Sequence, residues 1–210
     1  MMNLVIIGAG GLAREVYDLA TSCWVSGAEQ KIRGFLSDGP SDVESLGYPS
    51  VLSNVAGYQP QEDDVFICAI GNVNHRKKTV EQILQKGGTF INLIHPTSIL
   101  SPNVKLGMGV VIKPYCTVSC EVSIGSFTYL QGSVIMGHDV SIGDFCQINS
   151  FTFIAGSSVI GNQCVLNAGA RLIQSTQIED NAVVGMGSVV LRKVKKGTTV
   201  FGNPARRVEL

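Results

Sequence analysis

The sequence predicts an α/β half domain followed by a parallel β-helix, and three observations carry that expectation. Strand-like and helix-like runs alternate over residues 1–92, the pattern of a parallel sheet with crossover helices. From Ile94 to Val190 an aliphatic residue or Met recurs at every sixth position, seventeen times, without one insertion. Two residues before each of these stops, from Ser98 to Ser188, the side chain is always Ser, Thr, Ala, Cys or Val. The expected division is therefore residues 1–92 and residues 93–210.

Composition narrows the class. A 210-residue chain that is 45% hydrophobic can build one large or two small cores. Sixteen basic residues balance sixteen acidic ones, so no excess charge points to nucleic acid or an anionic membrane as partner. No apolar run approaches the roughly 20 residues of a membrane-spanning helix. The opening "MMNLVIIGAGG" lacks a basic leader region and a cleavage site, and a soluble cytoplasmic protein is expected. The six cysteines form no CxxC pair and are expected to be reduced and mostly buried.

In the first half, "NLVIIG" reads as a strand and "GLAREVYDLATSCW" as a helix with apolar spacing through Leu12, Val16, Leu19, Ala20 and Cys23. "IRGFLSD" is a second strand and "DVFICAIG" a third. "VNHRKKTVEQILQKGG" is a helix closed by glycines, and "TFINLI" a last short strand. The unit is too short for a complete six-stranded dinucleotide fold, which leaves a Rossmann-like half domain. Gly8, Gly10 and Ala13 satisfy the G-x-G-x-x-G/A pattern between strand and helix, where backbone amides at a helix N-terminus hold phosphate. A dinucleotide and a nucleotide-sugar diphosphate both satisfy such amides, and a turn without ligand is the structural alternative. Ligands collect at the carboxyl ends of such strands. That places Gly10, Gly11, Leu12, Ser37, Asp38, Gly71 and Asn72 as substrate-binding candidates, with Asp38 positioned to bond a ribose or a base.

In the second half each six-residue step supplies a short strand and a corner. The aliphatic stop fills the interior and the small residue fits where walls converge. Like residues then form columns at the strand spacing of about 4.8 Å. Cys116, Cys146 and Cys164 occupy the small-residue phase and read as wall filler. Within this pattern "VIMGHDVSIG" places His138, the one histidine of the repeat beyond the junction that carries His95, next to Asp139.

The hexapeptide period, the tail "VFGNPARRV", the opening "VIIGAGGLAREV", the run "AIGNVNHRKK" and the junction "NLIHPTSILSPNV" together resemble one family. These are the bacterial sialic acid O-acetyltransferase (NeuD-like) and nucleotide-sugar N-acetyltransferase (PglD-like) proteins of the hexapeptide-repeat acyltransferase superfamily. The resemblance implies a left-handed β-helix, a homotrimer with active sites between subunits, and acetyl-CoA as co-substrate. It implies that the N-terminal domain binds a nucleotide sugar and presents the sugar to His138.

Acetyl transfer from a thioester needs a base for the acceptor's proton, a donor for the developing oxyanion and a thioester held in fixed orientation. A histidine, with an ordinary pKa near 6.5, suits the first role. The resemblance assigns it to His138, with Asp139 orienting the imidazole. Adjacent residues on a strand point to opposite faces, so the two side chains meet only if a corner bends the chain between them. Gly156, eighteen residues on, is expected to stack over His138, and the resemblance gives its N–H to the thioester carbonyl. By the same resemblance Gln147, Ala168, Gly185, Met186 and Gly187 line the coenzyme A channel, and Lys193, Lys195, Lys196, Arg206 and Arg207 are available to its phosphates. Gln131, a further substrate-binding candidate, and Gln147 stand where relatives carry Asn and a second His, and Leu12 where they carry His, which leaves the acceptor sugar open. An amine acceptor is expected over a hydroxyl. A zinc-dependent carbonic anhydrase lacks its histidine set here, so no metal is expected. A non-catalytic trimeric scaffold is the remaining alternative.

Overall fold

The computed structural model describes residues 2–24 and 30–209 and divides into two compact units, Met1–Leu93 and Ile94–Leu210. In the first, β1 (Met2–Ile7), α1 (Gly11–Cys23), β2 (Gln30–Leu36), β3 (Val51–Ser53), β4 (Asp64–Cys68), α2 (Val73–Gln85) and β5 (Thr89–Phe90) follow in order. The strands form one sheet in the order β3-β2-β1-β4-β5, and every pair is parallel. The core is the apolar run of β1 (Leu4 to Ile7) and β4 (Phe66, Ile67), fully buried, with Val16 and Ala20 of α1 and Val80 and Ile83 of α2. A strand apolar on both faces is what a sheet covered by helices requires.

Two elements differ from the sequence reading. The three-residue strand β3 was not expected; it pairs with β2 through Phe35↔Val51 and Leu36↔Ser53. "TFINLI" splits, because Thr89–Phe90 joins the α/β sheet while Leu93–Ile94 is a strand of the solenoid.

The second unit is a parallel β-solenoid of two-residue strands in three walls. Wall one runs through Val111–Ile112, Tyr129–Leu130, Gln147–Ile148, Val165–Leu166 and Val183–Val184. Wall two runs from Ile99–Leu100 through Ile135–Met136 and Phe153–Ile154 to Val189–Val190, and wall three from Lys105–Leu106 to Gln177–Ile178. The register steps by eighteen in every wall, as in Ile135↔Phe153, Ser141↔Val159 and Tyr129↔Gln147. The stops Ile112 to Val190 are buried almost without exception and form one continuous cluster with the small-phase residues Cys116, Val134, Cys146, Cys164 and Ala182. An antiparallel hairpin, Thr199–Gly202 with Ala205–Val208, closes wall one.

The corners have one conformation. Every sixth residue from Gly109 to Gly187 has φ between 55° and 71°, fourteen positions of which three are glycine. A left-handed conformation costs a non-glycine residue about 1–2 kcal/mol, and here the stack enforces it. The corner between walls three and one is also capped by a side-chain ladder. Asp144 Oδ1 accepts the N–H of Ser126 (2.7 Å), Asn162 Oδ1 that of Asp144 (2.9 Å) and Asp180 Oδ1 that of Asn162 (2.8 Å).

Candidate active site

Asp139 is one of the left-handed corner residues, with φ 58°. That turn lies between walls two and three and brings neighbouring side chains to the same side. His138 Nδ1 and Asp139 Oδ2 lie 2.6 Å apart, both side chains about half exposed. A carboxylate only accepts, so Nδ1 donates in this bond, and in the neutral imidazole Nε2 is then the acceptor.

One coil on, Gly156 lies directly over that nitrogen. A Cβ built on Gly156 would stand 2.8 Å from Nε2 and 2.9 Å from Cε1 of His138. Ser157 N–H donates to His138 O at 2.8 Å, which fixes the two corners against each other. Gly137 completes the arrangement: a Cβ there would meet Gly156 N at 2.6 Å, so only glycine leaves that amide in place. The sequence reading passed over Gly137 individually, although its place just after the stop Met136 marks a position of close backbone approach. One coil before His138 the same corner carries the exposed Cys120, whose carbonyl accepts Asp139 N–H at 3.1 Å.

The substrate-binding candidate Gln131 and the other residues expected along the coenzyme belong to a different edge. Gln131, Ala168, Gly185, Met186 and Gly187 follow wall-one strands, at the corner between walls one and two. Gln147 lies within wall one, 6% exposed, and its Nε2 donates to Asn149 Oδ1 at 3.1 Å. Met186 is 67% exposed, whereas Gly185 is packed against the Phe201 ring of the closing hairpin, which a Cβ at this position would meet. Within one chain, then, the structure joins His138, Asp139 and Gly156 and sets the wall-one group apart from them.

In the first unit a cleft of about 370 Å³ opens at the carboxyl ends of β1, β2 and β4, lined by Gly8, Gly10, Gly11, Leu12, Ser37, Asp38 and Gly71 among others. This is where the strand order reverses around β1 and β4, the usual ligand crevice of such sheets. Gly8 has φ +106° and its Cβ would lie 2.8 Å from Ala69 O, so the turn requires glycine. Gly10 caps α1 without a side-chain bond, which leaves the first amides of the helix facing the cleft. Asp38 Oδ1 accepts Val55 N–H at 2.9 Å, and Ser37 Oγ bonds Gly39 O at 3.0 Å. Asn72 is absent from the lining; its Oδ1 caps α2 by accepting His75 N–H at 2.9 Å. His75, which the sequence reading did not place here, lines the cleft instead. Its signal was its position, three residues past that cap.

A model of the PglD N-terminal domain matches residues 3–83. UDP-N-acetylbacillosamine N-acetyltransferase of Bacillus subtilis (strain 168) is 28% identical over 117 residues, 53% of this chain and 51% of that protein. GDP-perosamine N-acetyltransferase of Escherichia coli O157:H7 is 30% identical over 132 residues, 60% of this chain and 58% of that protein. The chain thus spans just over half the length of these curated relatives. The crystal structure of PerB from Caulobacter crescentus in complex with CoA and GDP-perosamine matches with a TM-score of 0.89 at 26% identity, over 100% of this chain and 98% of that one. With its α/β sheet and its hexapeptide solenoid, the chain carries a PglD N-terminal domain over residues 3–83 and is similar, in both units, to nucleotide-sugar N-acetyltransferases.

Proposed function

We propose that this chain transfers the acetyl group of acetyl-CoA to the amine of a nucleotide-linked amino sugar, with His138 as general base. The observation that carries this reading is the corner in which Asp139 holds Nδ1 at 2.6 Å while Nε2 lies against the backbone of Gly156. The amine nitrogen attacks the thioester carbonyl carbon as Nε2 takes its proton. The carbonyl oxygen becomes an oxyanion that the Gly156 N–H can meet, and the imidazolium is stabilised by Asp139. Collapse breaks the carbon–sulfur bond, and the proton passes from Nε2 to the departing sulfur.

The cleft at Gly8–Leu12, Ser37–Asp38 and Gly71 is the place for the nucleotide diphosphate. Relatives named for UDP-linked bacillosamine and GDP-linked perosamine support an amine acceptor. Assembly as a homotrimer is part of the proposal. It is supported by the division of the expected thioester residues between two edges, and by exposed apolar side chains on and beside wall two: Ile99 at 69%, Tyr115 at 68% and Phe151 at 70%. A second copy over that surface would bury it. Among the described residues no helix is long and apolar enough to cross a membrane, and a cytoplasmic site of action is proposed from the expected substrates.

The test is product formation from acetyl-CoA with GDP-perosamine or a UDP-linked amino sugar, read by mass spectrometry. His138→Ala should lower kcat by about 10²–10⁴ with its melting temperature unchanged. No acetylated sugar from any amino-sugar nucleotide would end the transferase reading. A His138→Ala variant as fast as wild type would remove only the base assignment.

A further inference from the structure

The cleft of the α/β unit holds one side chain to which the reaction assigns no task. His75 lines that cleft and is exposed. Its backbone N–H is held by Asn72 Oδ1 at 2.9 Å, but neither ring nitrogen has a partner among the described residues. The rest of the lining is apolar or glycine, apart from Ser37 and one carboxylate, Asp38. Among the described residues His75 is therefore the one lining side chain able to carry positive charge.

Topology sets where the imidazole stands. The strand order β3-β2-β1-β4-β5 sends the β1-α1-β2 crossover one way along the sheet and β4-α2-β5 the other. Crossovers of one hand then put α1 and α2 on opposite faces, and their first turns flank the crevice from both sides. Leu12 Cδ2 of α1 comes within 3.7 Å of where a Cβ on Gly71 would stand, so the two sides approach closely. Asp38 follows β2, on the other side of β1 from β4. A diphosphate is repelled by that carboxylate and attracted by the open amides of α1, which leaves it on the β4 side, facing His75. We propose that protonated His75 binds the diphosphate of the nucleotide sugar. The inference rests on the nucleotide reading of this cleft given above. Imidazole ordinarily changes charge between about pH 5 and 8, and an adjacent phosphate favours the charged form. Binding therefore takes up a proton, and the added affinity is present at pH 6 and fades as the pH rises to 8. Three other charges stand near the ring. Asp38 Oδ1 accepts Val55 N–H at 2.9 Å, Arg14 Nη2 of α1 lies 3.9 Å from where Gly11 would carry a Cβ, and the buried Arg76 donates to Ile70 O at 3.3 Å. Carboxylates and guanidinium groups ordinarily hold their charge from pH 6 to pH 8, so the proton taken up belongs to His75.

The experiment titrates UDP-glucose and GDP-mannose calorimetrically into wild type, His75→Gln and His75→Lys at pH 6 and pH 8. Both ligands carry a fully esterified diphosphate and no amine, so neither changes charge over this range. Wild type should bind the tighter of the two about fivefold better at pH 6 than at pH 8. His75→Gln should bind at both pH values as wild type does at pH 8, which also separates His75 from His95 and His138. His75→Lys, whose charge is fixed, should bind at both as wild type does at pH 6. A wild-type ratio below twofold, or the full ratio retained by His75→Gln, overturns the proposal and leaves the nucleotide reading standing. If neither ligand binds wild type at either pH, the nucleotide reading fails and this inference with it. If they bind but no amino-sugar nucleotide is acetylated, only the transferase reading is lost, and the pH ratio still decides His75.

Discussion

Replacing Gly156 by alanine adds one methyl group directly over the imidazole of His138. The new Cβ would lie 2.8 Å from Nε2, 2.9 Å from Cε1 and 3.1 Å from Cδ2 of His138, against an ordinary separation of about 3.5–4.0 Å. The ring must therefore retreat by roughly 0.5–1 Å. It can do so at little steric cost, because its side chain is 54% exposed, but not while keeping its 2.6 Å bond to Asp139. A misplacement of that size costs about 10² in rate. Gly156 itself is not among the residues of positive φ, so alanine meets no backbone strain and stability should hold within about 0.5 kcal/mol. The expected result is a kcat about a hundredfold lower with a melting temperature within about 2 °C of wild type. Steady-state kinetics and a thermal melt read the two quantities. A kcat within threefold of wild type would refute the reasoning, as would a lost activity that merely follows a lost fold.

Asp139→Asn keeps a hydrogen-bonding oxygen beside Nδ1 but removes the charge that stabilises the imidazolium, and kcat should fall by about 10–100-fold; an unchanged rate would separate Asp139 from the chemistry. Asn162→Ala leaves the Asp144 N–H without its 2.9 Å acceptor and should cost about 1 kcal/mol, measured by denaturant melting, with activity preserved. Thiol alkylation at pH 8 followed by peptide mass spectrometry should mark the exposed Cys120 first. Burial pushes Cys68 up to about 12 despite the opposing Arg76 charge, and burial also raises Cys116. Since only the thiolate reacts, labelling of Cys68 as fast as Cys120 would contradict that picture.

The interior of the solenoid was legible because it must be filled: a missed aliphatic stop would leave a cavity, so the six-residue beat is unbroken from Ile94 to Val190. The corners were not legible in the same way. Glycine marks only three of the fourteen left-handed positions, since the stack of hydrogen bonds, not the side chain, imposes the conformation. The same corner geometry decided the question of the His138–Asp139 contact, which alternation along a strand argues against. β3 escaped notice because three residues, Val51–Ser53, are too few to show a period. Gly185 illustrates a different limit: its spacing matched the cofactor pattern, but its open side receives Phe201, sixteen residues further along the chain in the closing hairpin. Asn72 was read as a ligand contact from its place at a strand end, whereas its side chain serves the first turn of α2.

Between Ile99 and Val190 each rung pairs with the residues eighteen positions before and after it, so this stretch of the solenoid changes length in whole increments. Excising or duplicating one such unit would keep every ladder in phase, whereas any other number of residues would turn interior side chains outward. Chain length in this half of the molecule is thus a discrete variable, and distances along its edges can be engineered in steps of about 4.8 Å.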